Sequence, residues 1–358
     1  MRSAVAAVVT AAVLAGAYAW FTHTPAARLG KACGGALPVD DMLAMTGASA
    51  RFGGQDLKLA TWHYDEAVVS EPDGLSVACT ANDIEIHIET AVGNRFPFGN
   101  YTFQSRDDVL PIPLRDGWSG FLVAESEDNL GASVLLNCAN WKPSHGSGLL
   151  VTADADGVDS ASTPARARLA RIVTQTAKKA AEQTGCTANP GRTITEIDSQ
   201  STTSRTGAEK ADGTCAGTRS QSSVRESAAR TAPVEYCVLG GRLWLRAFYG
   251  PFARIGEDGG RGDFDKPFGN EGYAVWGTAA CPGAEARALY TAMPLVESDR
   301  RLDSQPLTAR ELEDLKQFAE RSAARHHCSA AALPGTEGSA HDGKSGSRSR
   351  SPQAAGLD

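Results

Sequence analysis

The chain has 358 residues, 42% of them hydrophobic and 22% charged, which is enough material for two globular domains. Its formal net charge of −7 argues against a nucleic-acid-binding protein, which would carry a basic stripe. None of the eight cysteines lies in a C-x-x-C pair, which argues against zinc-ribbon and thioredoxin-like sites. Paired cysteines in an oxidising compartment are the simpler interpretation.

The N-terminal segment indicates export. Residues from Ala4 to Phe21 carry no charge and are just long enough to cross a bilayer, and Trp20 is typical of an interfacial anchor. We therefore predict that residues 1–26 form an uncleaved membrane anchor and spacer. The alternative is a signal peptide cleaved near Ala19. Both place the rest of the chain outside the cytoplasm.

A first α+β module is predicted over residues 27–186. Its opening helix follows Pro38 and stops at Gly47. A hairpin turns at Asn82-Asp83, and its second strand alternates isoleucines with polar residues, the pattern of a half-exposed antiparallel strand. The remaining predicted elements are strands near 57–61, 120–125, 132–138 and 148–153, and a helix that Pro164 opens and Cys186 ends.

A second module, over residues 215–330, repeats this arrangement. Gly240-Gly241 favours a tight primed turn in its hairpin, a strand ends at Cys281, and Pro306 opens a helix that ends at Cys328. The two helices align position by position, and the apolar positions recur at three- and four-residue spacing, so each helix would lay one face on a sheet. The aligned pairs are Val173 with Leu315, Thr176 with Phe318, Ala177 with Ala319 and Ala180 with Ser322.

These patterns predict two tandem modules, each an antiparallel sheet packed against a C-terminal amphipathic helix. Residues 187–214 are predicted to be a polar linker with a strand at 193–197. Residues 331–358 are predicted to be a disordered tail. The tryptophans near the strands are expected in the core or along a ligand groove; they are Trp62, Trp118, Trp141, Trp244 and Trp276.

Four cysteines in each module allow three connectivities. We favour the pairing in which the cysteine that ends a strand joins the cysteine that ends the following helix, and the other two join the opening segment to the hairpin. The predicted pairs are Cys33–Cys79, Cys138–Cys186, Cys215–Cys237 and Cys281–Cys328.

The sequence carries no strong catalytic or metal signature, and no cofactor is expected. Asp154, Asp156 and Asp159 have the alternate spacing of calcium ligands, but no later bidentate glutamate follows, and a solvated turn explains them. His326-His327 beside Cys328 is explained by a helix C-terminus, where cations are favoured, better than by a metal site.

The opening CGGALPVDDMLAMTG, the segment PLRDGWSGFLVAE followed by VLLNC, and the helix ending in cysteine carry a resemblance. The chain resembles a group of actinobacterial membrane-anchored exported proteins of unknown function with duplicated, Cys-stapled α+β modules. The resemblance covers most of residues 1–186, implies location and fold, and carries no catalytic residues. The chain also departs from related lipoproteins, because it has no lipobox and Thr80-Ala81 follows Cys79.

The sequence favours a non-enzymatic binding or scaffolding role at the cell envelope, with the membrane as a partner through the N-terminal helix and no nucleic acid. The alternative is an exported hydrolase whose site uses scattered residues such as Asp65, Glu66 and His87. A cleft with two or more convergent titratable groups would favour the enzyme. The ligand and the oligomeric state are beyond the sequence.

Overall fold

The computed structural model describes residues 24–48, 57–63, 76–91, 110–141, 148–198, 207–219, 223–254, 264, 266–295, 300–302 and 304–334. Its helices are α1 (Pro25–Leu29), α2 (Val39–Thr46), α3 (Thr163–Gln183) and α4 (Ala309–Arg325). Its strands are β1 (Leu59–His63), β2 (Ser76–Ala81), β3 (Ile84–Thr90), β4 (Ile112–Pro113), β5 (Gly120–Ser126), β6 (Asn129–Asn137), β7 (Gly148–Asp156), β8 (Val224–Glu226), β9 (Val234–Leu239), β10 (Leu243–Tyr249), β11 (Phe268–Glu271), β12 (Ala274–Ala280) and β13 (Arg287–Pro294).

The strands form two antiparallel sheets, and the chain is α+β as predicted. The first sheet has seven strands in the order β1-β2-β3-β7-β6-β5-β4, and the second has six in the order β11-β12-β13-β10-β9-β8. Reversing the second order gives β8-β9-β10-β13-β12-β11, which matches the first sheet strand for strand up to β5. The two sheets therefore repeat one topology, and β9, β10, β12 and β13 are the counterparts of β2, β3, β6 and β7.

Both predicted hairpins close where the sequence places them. Asn82 adopts a positive φ of 53° between β2 and β3. Gly240 and Gly241 both have positive φ, and the Arg242 amide donates to the Leu239 carbonyl at 2.9 Å, as in a primed turn. At the opening helix, Gly47 ends α2 in the left-handed conformation, also as expected.

Each long helix covers the outer face of its own sheet. Helix α3 packs on β6 and β7, and Val173 and Ala177 are fully buried there with Ile86 and Ile88 of β3. Helix α4 packs on β10 and β13 through Leu315 and Phe318, which are buried in a separate core. The aligned helical positions are thus all buried, as the periodicity predicts.

The inner faces of the two sheets pack against each other, which the sequence did not predict. Phe121 of the first sheet meets Phe252, which lies in the 3₁₀ turn directly after β10 (Gly250–Arg254), with ring centroids 5.5 Å apart. Both rings belong to one apolar cluster to which both sheets contribute. The layers are helix, sheet, sheet and helix. Because both faces of each sheet are covered, strands such as β9 and β10 are buried along their whole length.

The four disulfides have the predicted pairing: Cys33–Cys79, Cys138–Cys186, Cys215–Cys237 and Cys281–Cys328. All eight cysteines are paired. The bridge Cys138–Cys186 joins the end of β6 to the residues after α3, and Cys281–Cys328 joins the corresponding end of β12 to the residues after α4.

Several local predictions were wrong. Helix α4 begins at Ala309, after Pro306, because Thr308 and Glu311 form a capping box. Residues 193–197 form no strand, although Ile194 and Ile197 are buried in the core of the first sheet. Residues 331–334, expected in the tail, pack on the second sheet: the amide of Ala332 donates to the Thr278 carbonyl at 2.9 Å.

The polar face of β3 is exposed only at Glu85, which differs from the half-exposed strand that the alternation predicts. His87 and Glu89 are only 5% and 7% exposed. Among the residues that the structure describes, no helix is long and apolar enough to cross a membrane. The segment from Ala4 to Phe21 lies outside the described residues, as does the tail beyond residue 334.

Candidate functional site

A groove of about 460 Å³ opens between the two modules, beside the equivalent disulfides Cys138–Cys186 and Cys281–Cys328. Residues next to Cys138 and Cys186 form its first-module wall, and residues next to Cys281 and Cys328 form its second-module wall. The volume suits a small-molecule or short-peptide ligand. The lining residues are Gly117–Ser119, Leu135–Asn137, Ala139, Thr187–Asn189, Thr231, Pro282, Ala284, Glu285 and Arg325–His327.

The turn at Gly283–Glu285 joins the two walls. It leaves β12 after Cys281 and reaches across to β6, where the Ala284 amide donates to Asn137 Oδ1 at 3.1 Å. It also lies against the start of β7, because a Cβ atom on Gly148 would stand 2.6 Å from the Cβ of Ala284. The absence of a side chain at Gly148 is what allows this close approach.

Behind the second-module wall lies a buried charge network centred on Glu235. This β9 carboxylate is 1% exposed and faces α4. It accepts hydrogen bonds from Ser322 Oγ at 2.8 Å and from His326 Nε2 at 3.0 Å. It also pairs with the guanidinium of Arg325. The cost of burying this carboxylate is therefore offset by two cationic partners and a hydroxyl donor.

His326 lies between two carboxylates. Its Nε2 atom faces Glu235 and its Nδ1 atom lies 2.7 Å from Glu285 Oε1. The imidazole ring stacks on Tyr249, with centroids 3.7 Å apart. Burial alone would lower the pKa of His326, but the hydrogen bonds that the ring donates to Glu235 and Glu285 outweigh it and raise the pKa to about 9. The ring is thus an imidazolium at neutral pH.

The surrounding groups are held in fixed ionisation states. For Glu235, burial acts to raise the pKa, but the hydrogen bond from His326 and the Arg325 charge lower it below its ordinary value, so the group is a carboxylate. Burial, and then the charge of Glu235, raise the pKa of Tyr249 well above its ordinary value. Tyr249 shares a hydrogen bond with the Ser322 hydroxyl, which extends the network into the core.

The first module has no such network at the equivalent positions. Alignment on Cys79 and Cys237 places Val77 opposite Glu235, and the helix alignment places Ala180 opposite Ser322 and Thr184 opposite His326. The same topology therefore folds with apolar or neutral side chains at these places. The charges in the second module are not a requirement of the fold.

The network does not have the geometry of a proton-transfer site. Glu235 stands between Ser322 and His326, so the hydroxyl has no hydrogen bond to the imidazole, as a serine nucleophile would need. Both ring nitrogens of His326 are occupied by carboxylates. The titratable groups converge beside the groove, but they neutralise one another.

The structure does not bring the calcium candidates together. Asp154 and Asp156 lie in β7, while Asp159 caps the next turn by accepting from the Ala161 amide at 2.9 Å. Among the described residues, the only three potential metal ligands with donor atoms within 4.8 Å of one another are Cys281, Glu285 and Cys328. Both of these sulfurs are engaged in the disulfide.

Other candidates are separated or lie outside the described part. His87 is buried, with Nε2 at 2.8 Å from Glu85 Oε1, while Asp65 and Glu66 fall in an undescribed segment. His327 is exposed on the groove rim, and Trp118 lines the groove with its indole N–H donating to the Arg192 carbonyl at 2.7 Å.

Sequence reasoning missed the central residue, Glu235. Its signal was a carboxylate in a strand whose neighbours are apolar on both faces, since Val234 and Tyr236 flank it and Cys237 follows. Such a carboxylate must be buried and needs a partner. The sequence pattern explains His326 by the helix C-terminus alone and gives no sign of its two carboxylate partners. No family model, curated protein or solved structure matches the chain.

Proposed function

We propose that this chain is an extracytoplasmic binding protein, held at the cell envelope by its N-terminal segment, and that its ligand binds in the groove between its two modules. The observation that carries the proposal is the groove itself, to which both modules contribute and beside which the buried charge network of Glu235 lies. Interfaces between packed units are common places for ligand sites.

The pairing of all eight cysteines supports this location, because paired cysteines are typical of an oxidising compartment. The uncharged stretch from Ala4 to Phe21 supplies the proposed anchor, or a signal peptide if it is cleaved near Ala19. Fusion of alkaline phosphatase after residue 334 tests the orientation: the reporter is active only if the C-terminal side is exported.

The lining favours binding because its groups are ordered before a ligand arrives. Arg325 is fixed from behind by Glu235, with 21% of its side chain exposed, and Glu285 is fixed by His326 with 17% exposed. The hydroxyl oxygen of Ser119 is buried and has no hydrogen-bond partner among the described residues, so a ligand would satisfy it. Preorganised donors and acceptors of this kind lower the cost of binding.

The alternative, an exported hydrolase, would need a general acid or base that can exchange a proton with the substrate. Two titratable groups do converge on the cleft, namely Glu285 and His326. The ion pairs hold both in place, and the bonds at Nδ1 and Nε2 leave the imidazole no nitrogen for a substrate. Binding therefore explains the arrangement better than proton transfer does.

The test uses the full chain in lipid nanodiscs with panels of amino acids, short peptides and oligosaccharides, observed by saturation-transfer difference NMR. Thr187→Trp fills the groove from the exposed first-module rim, and Lys178→Trp places the same ring on the solvent side of α3 as a control. We expect at least one probe class to bind, to lose its signal with Thr187→Trp and to retain it with Lys178→Trp. Binding that ignores the groove variant, or no binding by any class, would refute the proposal.

A further inference from the structure

One of the four disulfides differs from the others in exposure. Six cysteines are at most 9% exposed, including both members of Cys33–Cys79, Cys138–Cys186 and Cys215–Cys237. Cys281 and Cys328 are both partly exposed. The matched bridge of the first module, Cys138–Cys186, is instead enclosed in the core of the first sheet. Access of a thiolate to sulfur is one of the factors that set the rate of disulfide exchange.

This exposed bridge ties together the two segments that build the second-module wall of the groove. Cys281 begins the turn that carries Ala284 and Glu285, and Cys328 follows the helix end that carries Arg325 and His326. The only other side-chain link described between these segments is the hydrogen bond between His326 Nδ1 and Glu285. The disulfide is thus the only covalent cross-link that holds these two segments of the wall at a fixed distance.

The backbone on both sides of the bridge is strained. Ala286, which ends the turn, has φ 45° and ψ −52°, and His327, next to Cys328, has φ 56°. A residue with a Cβ atom adopts such angles only when its surroundings impose them, at a cost of about 1–3 kcal/mol each. Cleaving the bridge would remove one of the constraints on these two residues.

Reduction would not unfold the module, because other contacts hold its frame. The Ser329 amide donates to the Ala280 carbonyl at 2.8 Å, and Ser329 Oγ accepts from the Ala280 amide at 3.0 Å, which fixes the end of β12. Leu315 and Phe318 keep α4 on the sheet. The change would be confined to the Pro282–Ala286 turn and the last residues of the helix.

We propose that Cys281–Cys328 is a redox-sensitive gate for the groove: its reduction loosens the second-module wall, and its oxidation fixes that wall. The inference rests on the groove being the binding site. The reductant is a dithiol, supplied in the envelope by a thioredoxin-like protein. One of its thiolates attacks a bridge sulfur, the S–S bond breaks, and the other cysteine leaves as a thiolate and takes a proton. The second reductant thiol then resolves the mixed disulfide, so two electrons pass to Cys281 and Cys328 and the reductant becomes a disulfide.

The test treats the folded full chain with dithiothreitol, alkylates the thiols at intervals and measures each cysteine by mass spectrometry. We expect Cys281 and Cys328 to be reduced at least about tenfold faster than the other six. Hydrogen exchange should then rise in residues 282–286 and 325–328, while residues 309–322 stay protected. Earlier reduction of another bridge, simultaneous reduction of all four, or unchanged exchange in the turn would overturn the proposal.

Paired serine substitutions separate the gate from general loss of a cross-link. Cys281→Ser with Cys328→Ser should reproduce the local rise in exchange without reductant, whereas Cys138→Ser with Cys186→Ser should not produce it in residues 282–286. If a variant fails to fold, the reduction kinetics of the unmodified chain still decide. No ligand enters these measurements. The gate can therefore fail its test while the groove still binds its probes, and the groove can fail to bind any probe while the disulfide still shows the expected reduction and exchange.

Discussion

Glu235 and His326 form a buried ion pair, with Oε1 and Nε2 3.0 Å apart and side chains no more than 1% exposed. The pair joins β9 of the second sheet to the end of α4. A hydrogen bond from His326 to Glu285 extends it to the groove wall. Its counterparts in the first module are Val77 and Thr184. Since the first module folds with uncharged residues at these positions, the contribution of the charges to stability can be measured by installing the first-module residues in the second module.

Glu235→Val should destabilise the protein by about 3–5 kcal/mol, because it removes the carboxylate that pairs with Arg325 and one of the two carboxylates that hold the buried imidazolium of His326. Chemical unfolding monitored by circular dichroism measures the effect. The matched control installs the remaining first-module residues as well: Ser322→Ala, Arg325→Gln and His326→Thr. This fourfold variant should recover most of the loss, since Glu285 is partly exposed and can be solvated. A fourfold variant as unstable as the single one would contradict this account.

The stability of the protein should fall at alkaline pH because of His326. Its pKa is about 9 in the folded state against 6.5 ordinarily, so the folded state holds the proton more tightly. The stabilisation is fully present below about pH 6.5 and is lost as pH rises through about 9, an effect on the order of 3 kcal/mol. Unfolding free energies between pH 6 and 10 test it. His326→Gln should flatten the dependence and His327→Gln, at an exposed neighbour, should keep it.

Local patterns predicted the elements that depend on local chemistry. Gly240-Gly241, Gly47 and the three- and four-residue helical spacing each determine a turn, a stop or a buried face without reference to the rest of the chain. The cysteine pairing followed from the repeat, because a duplicated topology places equivalent cysteines at equivalent corners. These predictions did not require knowledge of how the modules meet.

The site could not be predicted because it depends on the contact between modules. Alternation along β3 predicts a half-exposed strand, but His87 and Glu89 are buried, and the pattern of one strand carries no information on what covers its polar face. Glu235 and Glu285 are far apart in sequence and meet only through His326. No periodicity encodes such a meeting.

Asp154→Asn should stabilise the protein at pH 8 by on the order of 1–2 kcal/mol and have little effect at pH 4. Burial, and then the carboxylates of Glu125, Glu85 and Asp156, raise the pKa of Asp154 from 3.8 to about 7. A raised pKa means that the folded state favours the protonated form, so stability is lost as pH rises from about 4 through 7. Denaturation at both pH values measures the difference. Asp83→Asn, an exposed carboxylate at the same end of the sheet, should show no such gain.

Phe252→Ala should uncouple the two modules. Phe252 is fully buried in the turn after β10 and packs edge-on against Phe121 of the first sheet, so its removal creates a cavity in the cluster to which both sheets contribute. Loss of a buried phenylalanine costs about 3–5 kcal/mol.

In calorimetry the unmodified chain should unfold in one transition, because neither sheet can expose this face alone. Phe252→Ala should broaden or split that transition. Phe318→Ala, in the outer core beneath α4, should lower the midpoint by a similar free energy while keeping one transition. Two transitions in the unmodified chain would show that the shared core does not couple the modules.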